Sequence, residues 1–140
     1  MTQTRGVRNN NPGNIDYHAS NAWQGQLGIE VGVPKPRFAR FDTPENGIRA
    51  LGKLLQTYQS KYELKTVEAI IARWAPSNEN DTAAYVRAVE QKTGTAPGAQ
   101  VNLKNSNVLF GFVKAIIHHE NGADPYPDSV IAEGVRRAVL

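Results

Sequence analysis

One carboxylate stands out by its position. In the run Ala115-Ile-Ile-His-His-Glu-Asn-Gly122, apolar residues at Leu109, Phe112, Val113, Ile116 and Ile117 recur at the three- and four-residue steps of one helical face. Glu120 falls seven after Val113, four after Ile116 and three after Ile117, so a helix that runs this far puts it on the same stripe. Burial disfavours the charged form and raises a carboxyl pKa, the condition for a general acid that holds its proton near neutrality. The helix dipole gives no reason for an acid in a last turn. The bland alternative is a frayed terminal turn with Glu120 in water. His119, beside it, suits a helix C-terminus better than catalysis.

A second concentration of chemistry lies at the other end. Arg5-Gly-Val-Arg-Asn-Asn-Asn-Pro-Gly-Asn-Ile15 gathers Arg8 and the amides of Asn9, Asn10, Asn11 and Asn14 around a Pro-Gly turn. A carboxylate partner for Glu120 would come from Asp16, Glu30, Asp42 or Glu45. Glu45 is most simply an acid facing the positive end of a helix dipole, and Asp16 follows the asparagine turn. Tyr17 and Trp23 could stack on a ligand ring, although either fits a core and Trp23 fits one slightly better; Tyr58 and Tyr62 could pack on the helix stripe or reach a cleft with a hydroxyl. Trp74 and Tyr85 read as core, and Arg73 and Asp81 as an ion pair or caps. His18, His118 and His119 have no metal-binding spacing, so neither metal nor cofactor is expected.

These residues must be held by short elements before residue 43 and by helices after it. Trp23–Val31 and Arg37–Phe41 alternate with period two between Gly and Pro, which predicts a small hairpin sheet. Thr43-Pro-Glu45 opens a helix carrying Ile48, Leu51, Leu55, Tyr58 and Tyr62. Further helices are predicted from Thr66 to Ala75-Pro76, from Asn80 or Asp81 to Gly94, from Ser106 to Asn121-Gly122, and from Asp128 or Ser129 onward. Residues 95–105 read as loop. The expected fold class is α+β, mainly α, in one domain over 1–140, with β-lobe and loops over 1–42 and a helical lobe over 43–140.

The 140 residues are 40% apolar, enough for an ordinary core. Sixteen basic against 13 acidic residues leave +3, dispersed along the chain, so nucleic acid is not an expected partner. Without cysteine there is no disulfide or thiolate chemistry. No apolar run suits a signal peptide or a membrane span, so no membrane insertion is expected, and delivery to a site outside the cytoplasm would depend on a virion, a holin or another route.

Residues 9–62 resemble the substrate lobe of bacterial and phage peptidoglycan glucosaminidases and their lysozyme-like relatives, through Asn9-Asn-Asn-Pro-Gly-Asn-Ile15, Trp23-Gln-Gly25, Phe38-Ala-Arg-Phe41 and Asp42-Thr-Pro-Glu-Asn-Gly-Ile-Arg-Ala-Leu51. That family carries its catalytic glutamate on a helix before the lobe. Here the similar helix, Ala115–Gly122, follows it, which implies a lysozyme-like fold in circularly permuted form. The whole chain also resembles small phage-encoded proteins labelled virion or structural, through RNNNPGNI, GIRAL and Arg73-Trp-Ala-Pro-Ser-Asn-Glu-Asn-Asp-Thr82.

The resemblance implies cleavage of peptidoglycan glycan strands, as a muramidase, glucosaminidase or lytic transglycosylase, with Glu120 as acid and Asp16 or Glu45 as a second carboxylate. Arg8, Asn9, Asn10, Asn11, Asn14, Tyr17, Trp23 and Tyr58 would then contact the sugars, since amides both donate to an acetyl carbonyl and accept from hydroxyls. Partners would be glycan strands and other virion proteins. The alternative is a non-catalytic virion or wall-binding protein that keeps the groove without the chemistry.

Overall fold

Four side-chain oxygens decide where the main helices begin. Thr43 accepts from the Asn46 N–H at 3.2 Å, Thr66 from Ala69 at 3.1 Å, Asp81 from Ala84 at 3.1 Å, and Asn105 from Asn107 and Val108 at 2.9 and 3.2 Å. Each satisfies a donor that the first helical turn leaves unpaired. The helices they open are α2 (Pro44–Lys61), α3 (Val67–Trp74), α4 (Thr82–Thr93) and α5 (Ser106–Asn121). α4 and α5 end on Gly94 and Gly122 in the left-handed conformation. A last helix, α6, spans Asp128–Val139. The computed structural model describes residues 3–75 and 81–140. The possible start of α4 at Asn80 therefore lies outside the described residues, as does Pro76.

The chain is mainly helical with one small antiparallel sheet, the α+β class that its periodicities predict. The strands are shorter than the alternation suggests: β1 is Gln26–Ile29 and β2 is Ala39–Phe41. A bulge between Gln26 and Gly28 interrupts their pairing, and two strands of this length leave most of the alternating residues outside a ladder. A four-residue helix, α1 (Arg5–Arg8), capped by Thr4, has no periodicity long enough to announce it.

Leu51, Leu55, Ile70, Ile71, Val89, Leu109, Phe112, Ile116 and Ile117, each no more than 1% exposed, form the centre of the core. α2 packs along α6, and α4 along α5. The asparagine turn lies against β2 on the side opposite β1. Ala39 N–H donates to Ile15 O at 3.0 Å and Phe41 N–H to Asn9 O at 2.9 Å. Asp16 and Phe38 form a further antiparallel bridge. The turn also sits on the first turns of α2, where a Cβ on Gly47 would collide with the Asn10 carbonyl oxygen. Only glycine permits that approach.

Of the ion pair or caps expected for Arg73 and Asp81, the structure has the cap: Asp81 caps α4 and pairs with no cation among the described residues, whereas Arg73 has its guanidinium 3.7 Å above the centre of the Tyr62 ring. Trp74 is half-buried rather than enclosed, while Tyr85 is in the core. No helix among the described residues is long and apolar enough to cross a membrane.

Candidate functional site

The asparagine turn is built by its own amides. Asn11 is fully buried. Its Nδ2 donates to Ile15 O at 3.0 Å and to Ala39 O at 2.9 Å, and its Oδ1 accepts from Ile15 N–H at 3.0 Å. Asn10, with φ +51°, donates to Phe41 O at 3.0 Å. Asn9 donates to Glu30 Oε2 at 3.1 Å.

Glu30, the residue after β1, is the centre of a second cluster. Its side chain is inaccessible and pairs with Arg5, whose Nε donates to Oε2 at 2.8 Å. It also accepts from the Arg37 and Phe38 N–H groups at 2.9 and 3.1 Å. Hydrogen bonding from Arg5 is the largest influence on its carboxyl and, with the backbone donors and Asn9, holds it far below the ordinary range despite burial. A carboxylate so fully occupied is structural.

Glu120 lies in the last turn of α5, continuous with the helix rather than frayed, but it is exposed and not buried with the apolar stripe that its spacing suggested. The residue after it anchors the turn opposite. Asn121 Nδ2 donates to Pro12 O at 2.9 Å and Ile117 O at 2.8 Å, and its Oδ1 accepts from Thr4 Oγ1 at 2.6 Å. Asn121 thereby fixes α1 and the Pro-Gly turn relative to Glu120.

A cleft of about 390 Å³ opens where these parts meet. Asn14, Asp16, His18, Asn21, Arg37 and Glu120 supply its polar lining, and Phe38, Leu54, Tyr58 and Trp74 supply aromatic and aliphatic walls. The volume is that of an ordinary small-ligand site. Glu120 remains open to water on the cleft side, yet the surrounding protein is dense enough to raise its pKa. The Asn14 amide, as a donor, and the charge of Arg37 pull the other way without cancelling that effect.

Asn14 has φ +51°, and its Oδ1 is buried with no hydrogen-bond partner among the described residues. A Cβ on Gly6 would lie 3.1 Å from that oxygen, so the amide is oriented with its oxygen toward α1. Arg37 Nε donates to Asp16 Oδ1 at 2.6 Å, and the Arg37 guanidinium lies 5.1 Å from the centre of the Phe38 ring. Behind Glu120, the His119 ring stacks on Tyr85 at 3.9 Å. Burial, reinforced by the charge of Glu120, holds the Tyr85 phenol well above its ordinary pKa.

The cleft brings together Glu120, Asp16, Asn14 and Tyr58 from both ends of the sequence. Arg8, Asn9, Asn10, Asn11, Tyr17, Trp23 and Glu45 do not line it. Asn9, Asn10 and Asn11 spend their amides on the fold, Tyr17 and Trp23 pack partly buried against the core, and Glu45 occupies the first turn of α2. Sequence reasoning missed Arg37, His18, Asn21 and Phe38, and it assigned Trp74 to the core. Alternation could not have found Arg37: it puts residue 37 in phase with the buried Ala39 and Phe41, whereas Arg37 lies before β2 begins and borders the cleft.

No protein-family model matches the chain. Over 132 residues it is 40% identical to Protein P5 of Pseudoalteromonas phage PM2, an alignment that takes in 93% of this chain and 79% of that protein. The chain belongs to the family of this phage protein.

Proposed function

We propose that this phage-family protein cleaves the β-1,4-linked glycan strands of peptidoglycan, with Glu120 as the general acid. The observation that carries this reading is the shared cleft: Glu120, with its pKa raised, faces a space also lined by Asp16, Asn14 and Tyr58. A glycosidic bond breaks when an acid protonates the leaving oxygen and the sugar becomes oxocarbenium-like. Protonated Glu120 supplies that proton. Its carboxylate then takes one from the incoming oxygen, either of water or of the sugar's own hydroxyl, and so returns to its starting state.

Asp16 is the second carboxylate: it lines the same cleft, paired with Arg37, and serves to stabilise developing positive charge. Asn14 and Tyr58 are the sugar contacts. A lysozyme-like arrangement in permuted order has support in the Thr4–Asn121 and Asn121–Pro12 contacts, which dock the N-terminal turn onto the glutamate-bearing helix. The reading implies action on the cell wall and contact with other virion proteins.

One observation favours a second reading, a virion or wall-binding protein without catalysis. Asp16 is engaged by Arg37 at 2.6 Å and is less available as base or nucleophile than a free carboxylate. Mass spectrometry of digested sacculi separates the two. New reducing N-acetylmuramic or N-acetylglucosamine ends identify a hydrolase, and anhydro ends a transglycosylase. Retention on sacculi with no soluble product establishes the binding protein and overturns the enzyme.

A further inference from the structure

Beyond the cleft, the aromatic wall continues onto an outer surface. Tyr58 and Trp74 line the cleft with their ring centres 6.4 Å apart, and Tyr62, one helical turn beyond Tyr58, follows at 6.3 Å. Tyr62 carries two cations: the Arg73 guanidinium 3.7 Å from its ring centre and Lys61 Nζ at 5.3 Å. Both lie in last turns, Arg73 of α3 and Lys61 of α2, where a helix dipole favours positive charge. The dipole accounts for their sign. It does not account for a guanidinium carbon held 3.7 Å over the centre of an exposed ring.

A guanidinium that meets a ring through its face keeps the N–H groups of its edge for other partners. Among the described residues none of these N–H groups meets a carboxylate or a carbonyl. Such an edge matches the two oxygens of a carboxylate in a bidentate pair. Tyr58 lies within the electrostatic reach of both Asp16 and Arg73, so one ligand could contact the cleft and the shelf together.

We propose that the Tyr62–Arg73 shelf, with Lys61 beside it, binds a carboxylate of the peptide stem carried by a glycan strand lying in the cleft. This rests on the peptidoglycan reading and adds to it a preference for peptide-bearing over peptide-free strands. Arg73 forms the bidentate pair, Tyr62 holds the guanidinium plane, and Lys61 adds charge without directional fit.

The test compares binding of purified glycan strands with intact stems against strands stripped of stems by an amidase, using Glu120→Gln protein so that neither ligand is consumed. Peptide-bearing strands should bind about tenfold tighter, the worth of one good charge-assisted pair. Adding Arg73→Gln should erase the difference while leaving affinity for stripped strands unchanged. Arg73→Lys should retain part of it, and Tyr62→Leu should reduce it.

Equal binding of the two ligands by the Glu120→Gln protein overturns the shelf, as does an equal loss on both when Arg73 is replaced. Product release by the unsubstituted protein reports separately on catalysis. Stem discrimination without product sinks the enzyme reading and keeps the shelf, and product without discrimination does the reverse. Failure to bind either ligand overturns both.

Discussion

Thr4 and Asn121, 117 positions apart, share a 2.6 Å hydrogen bond directly beside Glu120. With the 2.9 Å bond from Asn121 to Pro12 O, it makes one buried amide the clasp between the N-terminal turn and the end of α5. Asn121→Ala should cost about 2–3 kcal/mol in urea unfolding, because it leaves the Pro12 carbonyl without its partner and opens a gap. Product formation should fall as well, since the substitution frees the wall facing Glu120. Unchanged stability would show that the clasp is dispensable.

Glu120→Gln keeps the shape of the side chain and removes its transferable proton. Cleavage should drop by about 10²–10⁴-fold, the usual contribution of general acid catalysis. Stability should move oppositely. A carboxyl whose folded pKa is raised favours folding while protonated and loses that contribution as pH rises from the unfolded pKa through the folded one. The glutamine variant should therefore gain in melting temperature over the parent above that window and not below it. Full activity in the variant would remove Glu120 from the mechanism.

Asn14→Gly separates electrostatics from backbone strain, because glycine accepts φ +51° without cost. The Asn14 donor lowers the Glu120 pKa, so deleting it should raise that pKa further. The alkaline limb of the pH–rate profile, where the acid loses its proton, should shift upward. A limb that stays in place would mean that Asn14 does not act on the carboxyl.

Replacing Asn11 tests whether the amides of the turn are structural. Asn11→Asp would direct a carboxylate at the Ile15 and Ala39 carbonyl oxygens that Asn11 now donates to. Burial and these acceptors would raise the new carboxyl's pKa, so stability should be poorest at neutral pH and partly recover in acid. A loss of at least about 2 kcal/mol at pH 7 is expected from circular dichroism melts. A direct sugar-binding role would instead weaken binding and leave the melt unchanged.

Glu30 sets the acid limit of the fold. Its folded pKa is depressed, so its contribution is complete above the ordinary value of 4.5 and is lost as pH falls below it toward the folded value. Acid unfolding monitored by tryptophan fluorescence should begin in that window. Glu30→Gln should be less stable at neutral pH and show a shallower dependence there, and an unchanged acid profile would assign the transition to other carboxylates.

Helices α2 to α5 were legible because each combines a cap with a periodic apolar face, and α6 from its face alone. Glu120 drew notice by its spacing after such a face, and the structure puts it on the cleft rim, exposed. The asparagines were harder. Asn11 and Ala39 are 28 positions apart, and nothing local in either segment announces that one donates to the other. The same amide chemistry that suits a sugar also suits two stray carbonyls, and only three-dimensional packing decides between them. Arg73 and Asp81 read as an ion pair or caps; Asp81 is a cap, while Arg73 sits over a tyrosine ring that no local pattern brings next to it.

Gly47 and the Asn10 carbonyl meet backbone against backbone, with no side chain between them. An interface of that kind has no rotamers with which to adjust. The turn beside the cleft therefore behaves as a fixed template rather than a moulded one, and variation in what the cleft accepts would have to come from the residues that still have torsional freedom: Arg37, Tyr58 and Trp74.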